Sequence, residues 1–213
     1  MPTLEAWTLW LHISAGVVAL VAGFGALVTT KGGLRHRRAG KVFVVSMAVV
    51  VETVVPLLAF DPTPFRRFLT LVAIFSGYLA FSGYRVLSRK RPADEARAVD
   101  WTATGAVLLA CLGLGGWGLL QLVNEKSFGL VMLVFGGIGL AFGAIDLRTF
   151  RATERQEEWM VTHLQRMVSA VIATVSAVSA VNLTGTLGVA AWLWPTPVGI
   201  PLIMYWSNTY GTS

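Results

Sequence analysis

Three histidines, one glutamate in the middle of an apolar run and a few neighbouring polar residues are the positions where this chain could do chemistry. His36 sits in the basic segment Gly-Gly-Leu-Arg-His-Arg-Arg-Ala-Gly-Lys, residues 32–41. His163 lies one turn into a long apolar stretch, with Arg166 and Met167 at the i+3 and i+4 positions that share its helix face. Asp146 closes the preceding apolar run, in line with Gly139 and Gly143. If these runs are antiparallel helices, His36, Asp146, His163 and Arg166 converge at one depth on one side.

Two imidazoles from different helices at one depth can hold a b-type haem, and Arg166 can pair with a propionate. His12, on the opposite side, is a further imidazole with a possible cofactor role; it has no histidine partner there, so at most one haem fits. His36, His163 and Asp146 also form a two-histidine, one-carboxylate set for a divalent metal, although no close spacing such as His-x-x-x-His supports it. Glu52 stands about ten residues from either end of its run and is the deepest charge in the chain. An ionisable group there is either a proton or cation site of a small transporter or a carboxyl hydrogen-bonded to a neighbouring helix. The plainer readings are a basic loop that only orients the protein, packed histidines and a structural or accessory subunit. Phosphate-binding loops, G-x-S-x-G and Cys-x-x-Cys are absent, so whether the protein is an enzyme stays open.

The elements that must position these residues follow from composition. Of 213 residues 55% are hydrophobic and 13% charged, about half the charge of a typical soluble domain. No linker divides the chain, so residues 1–213 read as one transmembrane domain. A net charge of +6 would suggest nucleic acid in a soluble protein. Here the cations lie between apolar runs, which points to the bilayer and its anionic headgroups as partners, and not to nucleic acid. Cys111 is the only cysteine, so no internal disulfide can form. The N-terminal flank carries Glu5 and no Lys or Arg, and its apolar run is too long for a signal h-region; the first helix is expected to stay.

Seven segments approach the roughly 20 apolar residues of a membrane span: about 6–29, 42–60, 68–87, 101–123, 128–147, 159–183 and 187–206. This predicts an all-α, polytopic bundle. Fourteen of the 17 Lys and Arg residues fall at one end of the runs, leaving Arg66, Arg67 and Lys126 at the other. Short cytoplasmic loops are enriched in Lys and Arg, so the N-terminus is placed outside. The last span is interrupted by Pro195, Pro197 and Pro201. Either the sixth helix runs on to about Trp194 and a short seventh starts near Pro197, or a kinked seventh runs from Leu187. Trp192, Trp194, Tyr205 and Trp206 are expected at the membrane interface. Stripes of small residues on the first, fourth, fifth and sixth helices predict close helix contacts. The sequence leaves the oligomeric state open.

The run Leu-His12-Ile-Ser-Ala-Gly16 with Gly23, then His36-Arg-Arg-Ala-Gly40, resembles a bacterial family of multi-pass membrane proteins catalogued as a domain of unknown function. Trp159 to His163, Arg166-Met167, Asn182, Trp194-Pro195 and Gly199-Ile-Pro201 extend that resemblance over nearly the whole chain. It implies a multi-pass protein of the bacterial inner membrane and a shared role for the three histidines, and it is silent on activity. The small four- to six-helix haem cytochromes are a more distant likeness, from which this chain departs by lacking paired histidines at both faces.

Overall fold

The computed structural model describes residues 3–91, 93–152 and 159–211. Among them every regular element is helical: α1 (Leu4–Val28), α2 (Leu34–Phe60), α3 (Pro64–Arg85), α4 (Ala98–Val123), α5 (Gly129–Arg151), α6 (Trp159–Leu187), α7 (Ala190–Leu193) and α8 (Pro195–Tyr210). A single 3-10 turn, Val86–Ser88, extends α3. Helices are the expected form, because the hydrocarbon offers no water to satisfy a backbone and a helix bonds its own. The starts are capped locally. Thr3 accepts from the Ala6 amide, and Thr63 accepts from the Arg66 amide with Pro64 in the first turn.

Six helices, α1 to α6, are long and apolar enough to cross a membrane. The seventh segment divides differently from either sequence-based expectation. α6 stops at Leu187, Gly188 turns the chain with φ +54°, the one-turn α7 follows, and α8 starts at Pro195. At 16 residues α8 is about 24 Å long. It packs antiparallel along α6: the Trp194 indole donates to Ser179 Oγ at one end, Gly199 meets Ile172 midway, and Gly211 meets Val161 at the other. The chain therefore returns to the end where α6 begins.

Trp192 is a correction to its expected place at the interface. It is wholly buried, and its ring meets Phe65, Phe68, Phe128 and Phe135 edge-on. α7 thus plugs one end of the bundle with an aromatic cluster drawn from α3 and α5 and the turn before α5. At the same end Arg66 joins three pieces, bonding Glu5, the Leu57 carbonyl and Asp61.

Glycines set the closest helix contacts, as their stripes predicted. A Cβ at Gly139 would lie 2.9 Å from the Phe75 ring and closer still to Cys111 Sγ, whereas one at Gly137 would meet nothing within 4 Å. Gly139→Leu should therefore lower stability by about 1–3 kcal/mol through overpacking, while Gly137→Leu should leave it unchanged. Denaturation in detergent micelles measures both; equal losses would show that α5 does not present this face to α3 and α4.

Candidate functional site

One end of the bundle holds a cavity of about 620 Å³. Its inner wall is apolar, with Gly23, Leu27, Phe43, Val168 and Val171, and its rim carries Lys31, Arg37, Lys41, Arg85 and Lys90. Among the described residues no acidic side chain lines it. Trp159, Trp206, Tyr84 and Tyr210 complete the mouth, and His36 and His163 both face into it.

The two imidazoles arrive from different helices and are anchored alike. Gly32, at φ +75°, turns the chain between α1 and α2, a conformation that favours glycine. The first turn of α2 then folds back over the last turn of α1, and His36 Nδ1 bonds the Ala26 carbonyl at 3.0 Å. On the other side, His163 Nδ1 in α6 bonds the Gly83 carbonyl of α3 at 2.7 Å. A carbonyl can only accept, so Nδ1 carries the hydrogen in both rings. In the neutral ring each Nε2 then keeps its lone pair. The ring centroids stand 6.4 Å apart and the planes cross at 78°.

α6 is drawn in by two close approaches. A Cβ on Gly83 would lie 2.8 Å from Arg166 Cβ and 3.1 Å from Met167, and one on Gly23 would lie 3.0 Å from Val171. Bare backbone at these points lets α3 and α1 pack directly on α6, and so brings the Gly83 carbonyl within reach of His163.

Cations at the mouth sit on aromatic faces. Lys31 lies 4.3 Å from the Trp206 ring centroid and bonds the Leu27 carbonyl at the end of α1, where the helix dipole favours positive charge. Lys90 lies 4.2 Å from the Trp159 ring centroid. Burial holds the Lys31 ammonium below the ordinary lysine value. These stacks fix long side chains that would otherwise sweep through solvent.

The structure joins His36 with His163 and separates the other anticipated partners. Asp146 turns away from them: it accepts from Tyr78 and pairs with Arg166 at 2.7 Å, and Tyr78 also bonds Thr104 at 3.0 Å. Among the described residues no group of three or more His, Cys, Asp and Glu side chains is placed to hold a metal ion, so the His36–His163–Asp146 set is not assembled. Arg166 is 2% exposed, bonds Asp146 and the Phe142 carbonyl, and does not line the cavity; the rim lysines and arginines stand where it was expected. His12 bonds Thr53 Oγ1 at 2.8 Å. Thr53 lies 17 residues beyond His36 on α2, about 25 Å along the helix, so His12 belongs to another level. Glu52 is exposed on the outer face of α2. Arg155 lies outside the described residues.

Residues that sequence reasoning passed over complete this end. Asp100 is 1% exposed and gathers Arg85, through two bonds of 2.8 and 2.9 Å, and Arg89, at 2.6 Å. A sequence signal existed, since Asp100 starts an apolar run directly after a basic loop. The Lys31–Trp206 and Lys90–Trp159 stacks had no such signal, because each joins residues far apart in the chain. No family model, curated protein or solved structure matches the chain.

Removing one partner of a buried ion pair strands the other charge, at a cost of about 3–5 kcal/mol. Arg166→Met should accordingly destabilise the bundle by about that much, and adding Asp146→Asn should recover a good part, since an amide oxygen still accepts from Tyr78. Unfolding in micelles of the two single variants and the double variant gives the coupling; additive losses would mean that the pair is not formed.

Proposed function

We propose that this is a multi-pass protein of the bacterial cytoplasmic membrane whose cavity holds one b-type haem between His36 and His163, as an electron-transfer site. In this reading the N-terminus is outside, α8 is a short seventh crossing, and the basic end with its cavity faces the cytoplasm. The observation that carries the proposal is the pair of imidazoles. Both have Nδ1 committed to a backbone carbonyl and Nε2 free, the state in which histidine binds iron.

Their spacing supports it. The ring centroids lie 6.4 Å apart, a separation at which both Nε2 atoms could hold one iron with bonds of about 2 Å. Haem would need only the two histidines from the protein, so the absence of a third donor among the described residues does not weigh against it as it does against a zinc or iron site held by side chains alone. The cavity volume of about 620 Å³ falls within the usual range of about 300–1,000 Å³ for cofactor pockets. An apolar interior with a cationic rim also suits a planar hydrophobic ring that ends in two carboxylates.

Bound haem would supply reversible one-electron redox chemistry. The protein's part is binding and tuning. The Ala26 and Gly83 carbonyls hold the rings in orientation and make them more basic. Lys31 and Lys90, steadied on their tryptophans, are placed to neutralise the propionates, and Phe43, Val168 and Val171 keep water from the interior.

The test is an absorption spectrum of protein purified from haem-replete cells. A Soret band with low-spin character is expected. His163→Ala and His36→Ala should each weaken haem binding by on the order of 100-fold, because even the outer partners of a metal ligand contribute about 10–100-fold. Wild-type protein that stays colourless after haem titration overturns the proposal.

A further inference from the structure

The outer face of α2 carries a feature that neither the bundle nor the cavity uses. Val45, Ala48, Glu52, Val55 and Ala59 are all exposed, and their spacings alternate between three and four residues. That alternation averages the 3.5-residue period of a seam between two supercoiled helices. Glu52 sits at its centre. Among the described residues it has no hydrogen-bond or ion-pair partner, and it projects from a helix able to span the membrane, about two turns before the end of α2 at Phe60. Pro56 adds a second polar group at the same level, since a proline lacks the N–H that would bond the carbonyl of residue 52. A carboxyl facing hydrocarbon is costly unless another group meets it.

We infer that this face of α2 is covered by α2 of a second copy of the chain, with the two Glu52 carboxyls bonded to each other across a two-fold axis. Copies in one membrane share one orientation, so an isologous pair has its axis along the membrane normal and α2 runs parallel to its mate. Residues on the seam then meet their own equivalents. A carboxyl is suited to that, because two carboxyls bridged by a proton supply both donor and acceptor.

A second copy fits better than an ionic partner drawn from elsewhere in the same protein. Among the described residues every Lys and Arg lies in a loop or within about two turns of a helix end, and Arg166, the most deeply enclosed, is already paired with Asp146. Near the level of Glu52, His12 is already bonded to the Thr53 hydroxyl and Arg66 to Glu5, Asp61 and the Leu57 carbonyl, whereas a two-fold axis along the membrane normal brings the identical carboxyl to the same depth by symmetry. The small side chains of Ala48 and Ala59 flank it and let the backbones approach. The seam is independent of the haem proposal, since none of its five residues lines the cavity.

Cysteine cross-linking of full-length protein in liposomes, in a Cys111→Ala background, tests it. Val45→Cys, Ala48→Cys and Val55→Cys should give disulfide-linked dimers on mild oxidation, and Val44→Cys, partly buried and off the seam, should not. Glu52→Ala should weaken dimerisation by about tenfold, as expected for loss of an interhelical hydrogen bond in lipid, while Glu52→Gln, whose amides can pair, should retain most of it. Folding is monitored separately by thermal denaturation, which Glu52→Ala should leave unchanged because the side chain touches nothing inside the bundle. Single-molecule photobleaching that shows monomers, cross-links of equal yield at all four positions, or a Glu52→Ala variant that dimerises like wild type would each overturn the inference.

Discussion

The approach of α6 to α1 and α3 governs the rest of this structure. In lipid, helices gain no hydrophobic benefit from one another, so contact depends on how closely backbones can come and on the polar bonds made when they do. Gly23 and Gly83 remove the side chains that would hold α6 away. Once α3 touches α6 at Gly83, a backbone carbonyl lies beside His163 and fixes its ring. The same contact carries Arg166 into the interior, where it requires a carboxylate, and Asp146 on α5 meets it. Packing, the ion pair and the orientation of an imidazole are thus consequences of one missing side chain.

The polar groups form two layers at the basic end of the bundle. The inner layer, Tyr78, Thr104, Asp146 and Arg166, is closed on itself: each strongly polar side chain is bonded to another. The outer layer, Asp100 with Arg85 and Arg89, ties the end of α3 to the start of α4. Both have the character of fastenings: Asp146 and Arg166 pair one to one, and Asp100 holds two arginines from the end of α3 and the turn after it. The cavity differs in kind. Its imidazoles use one nitrogen each for anchoring, and of its rim cations only Arg85 is held by a carboxylate, that of Asp100, while no acidic side chain among the described residues lines the cavity itself.

How much of this could be read in the sequence depends on how local each signal is. Helix spans come from runs of apolar residues, and α1 to α6 are found where composition puts them, except that α2 starts at Leu34 and not near residue 42, which takes the basic segment and His36 into its first turns. The convergence of His36 and His163 follows from alternating helix direction alone. The role of Asp146 and Arg166 does not, because depth in the membrane places two groups at one level without saying whether they face a cavity or each other. Geometry decided for a pair, through a difference in azimuth that no periodicity reported. Trp192 misled for a related reason: tryptophan near an apolar boundary usually marks the interface, yet Gly188 and Pro195 bracket a single turn that folds this one inward. Glu52 stands out in the sequence as a charge inside an apolar run, but its outward direction, away from any neighbouring helix of the same chain, depends on which face of α2 meets α1 and α3.

The cations tie orientation and site together. Lys31, Arg37, Lys41, Arg85 and Lys90 belong to the set of Lys and Arg that biases the topology, and the same five residues edge the cavity. A loop that served topology alone would need only charge, in any conformation and fully hydrated. Here Lys31 and Lys90 are held against tryptophan rings, and the conformational entropy this costs is repaid by stacking. One of those tryptophans, Trp206, comes from α8, so the proline-broken C-terminal helix completes the wall that the first loop begins. The end of the bundle that gathers most of the Lys and Arg is therefore also the end that holds the apolar cavity and its two imidazoles.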